Sequence, residues 1–115
     1  MKPADKERLF KMILDHPDFQ QYLHPELEDR VPLKVKSNSE LGTNLSIEKF
    51  GKAIEFVNSI NSIEITPILE VISFNIGNNQ VSFEILYEIE GVTIKGILES
   101  DTTQWSFKEF DVFEN

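Results

Sequence analysis

Val81-Ser82-Phe83-Glu84-Ile85-Leu86-Tyr87-Glu88-Ile89-Glu90-Gly91-Val92-Thr93-Ile94-Lys95-Gly96-Ile97-Leu98 is the stretch that decides the fold. Val81, Phe83, Ile85, Tyr87 and Ile89 alternate with Ser82, Glu84, Leu86, Glu88 and Glu90. Period-two alternation is the mark of a strand with one buried face. Gly91 makes a tight reversal into Val92, Ile94, Gly96 and Leu98, so the reading is an antiparallel hairpin. A two-residue loop at Glu90-Gly91 sets Tyr87 opposite Ile94 and Ile85 opposite Gly96.

Working outward, Asp101-Thr102-Thr103 turns the chain into a last strand from Gln104 to about Val112. Pairing Lys95 with Glu109 gains a cross-strand charge pair. It also pairs Ile97 with Phe107, Ile94 with Phe110 and Val92 with Val112, and leaves Lys108 facing Gly96 on the core side. On this register the outer face carries Leu86, Ile97, Trp105 and Phe107 among acids. Such a patch is either a binding surface or the underside of a second packed layer. Upstream, Gly77-Asn78-Asn79 is a turn, and residues 63–76 are rich in Ile, Val and Phe. Their apolar phase slips by one near Leu69, which predicts a bulge or bend there, near Pro67.

Residues 4–15 read as a helix, with Leu9, Phe10, Met12, Ile13 and Leu14 forming an apolar stripe. Asp5 and Glu7 sit near its N-terminus, where the helix dipole favours anions. His16 precedes Pro17 and resists the α conformation, so the helix stops there and Pro17 opens a second short one. Val31, Leu33 and Val35 predict a first strand, with Pro32 at its start or at a sheet edge. Residues 37–44 are a loop by composition. Residues 45–60 carry Ile47, Phe50, Ile54 and Val57 at helical spacing, but Gly51 interrupts them and Ile54, Phe56 and Val57 favour strands. The preferred reading is a strand over about 53–58. The expected whole is a single α+β domain over residues 1–115. An N-terminal helix and a short second helix pack on a bent antiparallel meander of about five to six strands, through Leu9, Met12 and Ile13.

Charge is placed unevenly. The 115 residues carry 11 Lys plus Arg against 20 Asp plus Glu, a net charge of −9. Residues 1–52 balance, so the net charge belongs to residues 53–115, where Lys95 and Lys108 are the only bases. Nucleic acid needs cationic side chains to replace its counterions, so it is a poor partner. Anionic membranes are disfavoured for the same reason, and no apolar run is long enough to span a bilayer. A basic protein partner or self-association remains. Met1-Lys2-Pro3-Ala4-Asp5 does not open a signal peptide, so the sequence as given is expected in the cytoplasm. A trimmed chain would be exported or lipid-anchored.

The chemistry-bearing side chains are few. With 0 Cys there is no disulfide, thiolate metal site or cysteine nucleophile. His16 and His24 each begin a His-Pro-acid triplet. Zinc needs three or four convergent ligands, and the prolines explain the triplets as helix boundaries, so neither a metal nor another cofactor is expected. No Gly-x-Ser-x-Gly elbow and no phosphate-binding glycine loop is present. Arg30, between Asp29 and Val31 and near Glu28, reads as an ion pair or as an anchor for an anionic ligand. Tyr87 lines either a core or a pocket. The candidate ligand-binding residues are therefore His16, His24, Arg30 and Tyr87.

Tyr22-Leu23-His24-Pro25-Glu26, Arg30-Val31-Pro32-Leu33-Lys34-Val35, Lys49-Phe50-Gly51-Lys52, Tyr87-Glu88-Ile89-Glu90-Gly91-Val92 and the Trp105 strand together resemble a group of small uncharacterised bacterial proteins, often exported or lipid-anchored. In that group a proline often follows Phe-Gly-Lys, which argues for strand; Ala53 stands there in this chain. The architecture is similar to cystatin-like and nuclear transport factor two-like folds, which host many functions and imply none. Two functions follow. One is a non-catalytic binding or protein-interaction domain using an acidic and apolar sheet face. The alternative is a small ligand-binding cone or acid–base enzyme with a pocket between helices and sheet.

Overall fold

The computed structural model describes residues 1–59 and 66–115. Helix α1 runs Pro3–Asp15 and α2 runs Pro17–Gln20. Pro3 and Pro17 each occupy the first turn of their helix, where a missing N–H costs nothing. His16 separates the helices in extended conformation, and its Nδ1 accepts the Asp18 N–H at 3.1 Å. The pre-proline restriction thus becomes a cap for the next helix.

Among the described residues eight strands follow: β1 (Lys34–Lys36), β2 (Glu48–Lys49), β3 (Lys52–Ala53), β4 (Glu55–Phe56), β5 (Ile68–Ile76), β6 (Gln80–Tyr87), β7 (Val92–Ser100) and β8 (Trp105–Glu114). β2 and β3 form a small hairpin, turned by Phe50 and Gly51 at φ 56° and 78°. The other six make one sheet in the order β4-β1-β5-β6-β7-β8. β5 to β8 are the antiparallel meander expected from the alternation. The sheet as a whole is mixed, because β1 pairs in parallel with both β4 and β5. A parallel neighbour needs a long crossover, and residues 37–54 supply it before β4. The class is α+β, with one main helix on a six-stranded mixed sheet.

Five expectations of register and span change. The first strand begins at Lys34, after Pro32, instead of at Val31. The segment expected as a strand over 53–58 divides between the β2–β3 hairpin and β4, and Ile47 and Ile54 meet through an Ile54 N–H to Ile47 carbonyl bond of 2.8 Å. The bulge of β5 falls between Val71 and Ser73, not near Leu69, and the expected strand start at 63 lies outside the described residues. Leu69 and Val71 hold one phase and Phe74 and Ile76 the other, so the extra residue must lie between them.

The β6–β7 loop is longer than two residues. Glu88–Glu90 form a 3-10 turn closed by Gly91 at φ 63°, so Tyr87 pairs with Val92 and Ile85 with Ile94. The change is of two residues, which keeps every side chain on its face. In the last hairpin a second bulge leaves Lys108 unpaired. Lys95 then faces Asp111, Ile97 faces Glu109, and Leu98 faces Phe107.

The core lies between the helices and one face of the sheet. Leu9, Phe10, Ile13 and Leu14 of α1 are fully buried, as are Leu69, Phe74, Ile85, Tyr87, Ile94 and Leu98 of the meander. Met12, expected among the main contacts, is only partly buried at the margin.

Candidate functional site

His24, Arg30 and Tyr87 are brought together, and a residue outside that candidate set joins them. Arg30 Nη1 donates to Glu90 Oε2 at 2.7 Å. His24 Nε2 lies 3.3 Å from Glu90 Oε1, and its Nδ1 lies 3.2 Å from Glu26 Oε2. The Arg30 guanidinium carbon stands 6.0 Å from the centroid of the Tyr87 ring. Glu90 reaches this position because the 3-10 turn folds it toward the 24–30 loop. Glu28 takes no part, while Asp29 Oδ1 approaches Arg30 Nε at 3.4 Å without forming a hydrogen bond.

Arg30 and Tyr87 are both buried. Burial pulls the Arg30 pKa down, but Glu90, Tyr87 and Asp29 outweigh it and the net direction is up. Burial pushes the Tyr87 phenol above its ordinary pKa, with the Arg30 charge opposing. Among the described residues, the Tyr87 hydroxyl has no hydrogen-bond partner. Chemically the cluster is self-neutralised. The guanidinium and both imidazole nitrogens face carboxylates of the same chain, so Arg30 is an ion-paired strut rather than an open anion anchor.

His16 stands apart from this group. Its ring stacks on Phe110 with centroids 3.6 Å apart at 2°, and it meets Phe107 edge-on at 5.0 Å. It ties the helix junction to β8. A second charged cluster lies nearby in sequence. Buried Lys49 places Nζ 2.5 Å from Asp15 Oδ1, also bonds the Gln20 side chain, and lies 4.8 Å from the centroid of Phe50. Burial raises the Asp15 pKa, but Lys49 and Lys11 overcome it and the net direction is down. Neither Glu90 nor Lys49 had a sequence signal beyond its place beside a Gly-containing turn.

Among the described residues, no group of three or more His, Asp or Glu is arranged to hold a metal ion. No described helix is long and apolar enough to cross a membrane. A surface cleft of about 300 Å³ is lined by Pro17, Gln20, His24, Glu26 and Phe50, and neither Arg30 nor Tyr87 lines it.

The outer face of the meander has a different make-up from the one expected. Leu86 and Ile97 do lie on it, half-buried, opposite Glu70 and Thr93 and opposite Ser82 and Glu109. Trp105 and Phe107 do not: the Lys108 bulge puts them opposite Ser100 and Leu98, on the helix side, where they pack against the core. Phe113, 49% exposed, takes the outer place beside Thr93. Glu70, Glu84, Glu99, Glu109 and Asp111 complete the face with Lys95. Lys95 Nζ stands 3.9 Å from Glu84, and Lys108 Nζ stands 3.7 Å from Glu99. No protein-family model matches the chain, and no curated protein and no solved structure is significantly similar to it.

Proposed function

We propose that this protein is a non-catalytic binding module that holds a basic polypeptide partner on the outer face of the β5–β8 meander. The observation that carries this reading is the composition of that face: five carboxylates, with Lys95, surround the apolar side chains of Leu86, Ile97 and Phe113. Apolar anchors ringed by one sign of charge are the make-up of an interface, the charge setting partner choice and on-rate. The pocket alternative draws less support. Phe10, Ile13, Phe74 and Tyr87 occupy the space between helix and sheet, and Arg30 and His24 are spent on Glu90. The cystatin-like or nuclear transport factor two-like relationship belongs to the same proposal and fixes no activity.

The test compares two pairs of neutralising substitutions with the same net charge. Glu84→Gln with Asp111→Asn alters the outer face, and Glu28→Gln with Glu48→Gln alters exposed acids elsewhere. Calorimetric titration with a short peptide of alternating lysine and valine reads the affinity. The first pair is expected to weaken binding about tenfold, worth about 1.4 kcal/mol, and the second to leave it near the parent value. Equal losses in both pairs would show attraction to net charge alone and defeat the reading.

A further inference from the structure

β8 is the last strand of the sheet, and among the described residues no backbone partner reaches its far side. An edge of this kind offers a row of N–H and C=O groups to any extended chain, and proteins usually blunt it with bulges and lysines. The two halves of β8 differ in this respect. Residues 105–108 carry both devices, since Lys108 is itself the bulge. Residues 109–114 carry neither: they pair regularly with β7 from Ile97 back to Val92 and contain no base. Their far edge is therefore a straight, open segment about 20 Å long at about 3.3 Å per residue.

The side chains of that segment select its occupant. Glu109, Asp111 and Phe113 lie on the outer face, and Phe110, Val112 and Glu114 on the helix side. A second copy fits poorly. Symmetric antiparallel pairing about Phe110 sets Glu109 against Asp111 twice, and pairing about Asp111 sets that carboxylate against its own copy. Pairing about Val112 sets each Phe110 against the other copy's Glu114. Like charges directly opposite are destabilising, and an apolar ring gains nothing beside a carboxylate. A strand with Lys or Arg on the outer side and apolar residues opposite Phe110 and Val112 sets no like charges opposite each other and pairs Glu109 and Asp111 with bases.

Resting on the binding role proposed above, we infer that the basic partner docks by strand addition to residues 109–114 of β8, as an extended segment of alternating basic and apolar residues. Main-chain hydrogen bonds along β8 supply affinity, and Glu109 and Asp111 supply the choice of a basic sequence. Phe110, stacked under His16 at 3.6 Å, fixes the helix side of the edge in place before the partner arrives.

The probe is a blocked peptide of about six residues alternating lysine and valine, together with the same peptide N-methylated at alternate residues. Methylation keeps charge and side chains but removes ladder donors. By NMR on the parent protein, the plain peptide is expected to slow amide exchange within 109–114 and to show cross-strand proton contacts with that segment. The methylated peptide is expected to bind about tenfold or more weakly. Equal binding of both peptides, with shifts spread over Glu70, Glu84 and Lys95, would overturn strand addition while leaving the binding face intact. No binding of either peptide would overturn both. A parent dimer in sedimentation that dissociates on Asp111→Lys would overturn the choice of occupant, making it a second copy.

Discussion

On β7, Val92, Ile94 and Leu98 are sealed under the helices, while their immediate neighbours Thr93, Lys95, Ile97 and Glu99 lie on the other face and keep contact with water. One strand thus serves two surfaces at a spacing of one residue. The helix side is selected by volume: its residues are apolar and fully enclosed, and any change must be accommodated by neighbours. The outer side is selected by charge, and its apolar residues stand singly among carboxylates. Each face therefore answers to a different kind of change. Stability is concentrated on the helix side, and recognition is assigned to the outer side and its β8 edge.

Substitutions on the helix side should therefore have the largest effects. Ile13→Ala removes a fully buried side chain at the contact between α1 and the sheet, and should lower stability by about 2–5 kcal/mol in urea unfolding. An unchanged midpoint would mean that the helix does not cover the sheet in solution. Gly96→Ala comes next. A Cβ there would lie 2.5 Å from the Glu109 carbonyl and 2.6 Å from the Phe83 ring. The ring can shift, but the β8 backbone cannot without losing its ladder, so a loss of about 3 kcal/mol is expected.

Asp15 and Lys49 offer a pH test on the same side of the molecule. The folded carboxyl titrates below its ordinary value, so its contribution is complete above the unfolded pKa of about 3.9 and is lost as pH falls through the folded value. The stability gap between parent and Asp15→Asn should be constant above about pH 5 and narrow below about pH 4. A gap that stays constant to lower pH would show that the Lys49 contact does not depend on the carboxylate charge. The smallest effect belongs to the outer face. Phe113→Ser should change stability by no more than about 0.5 kcal/mol, because the ring is 49% exposed.

Much of this division could be read from the sequence, and the parts that could not share a physical reason. Alternation fixes faces, and the expected hairpin at Gly91 kept its faces although its pairing moved by two residues. A period-two pattern cannot distinguish registers that differ by two. The last strand carried its own warning: Lys108 opposite Gly96 on the core side was a conflict, and the bulge at Lys108 resolves it. Trp105 and Phe107 hold one phase and Phe110 and Val112 the other, the same signature that places the bulge in β5. Nothing local announces that β1 pairs in parallel on both sides, because parallel pairing depends on connections far longer than any local pattern. The same holds for the candidate site. His24, Arg30 and Tyr87 were singled out, but Glu90, which neutralises two of them, comes from 60 residues beyond Arg30 and is aimed by a 3-10 turn.

The most direct test of the division between faces is one affinity measurement on two folded variants. Tyr87→Phe removes a buried hydroxyl that has no partner among the described residues, so it should not destabilise the fold, yet it changes the polar cluster on the helix side. Glu84→Gln with Asp111→Asn changes only the outer face. Titrated with the lysine–valine peptide, Tyr87→Phe should bind as the parent does and the outer-face pair about tenfold more weakly. Parent-like binding by the outer-face pair, with affinity lost in Tyr87→Phe, would contradict the assignment and move the working site to the cluster of His24, Arg30 and Glu90.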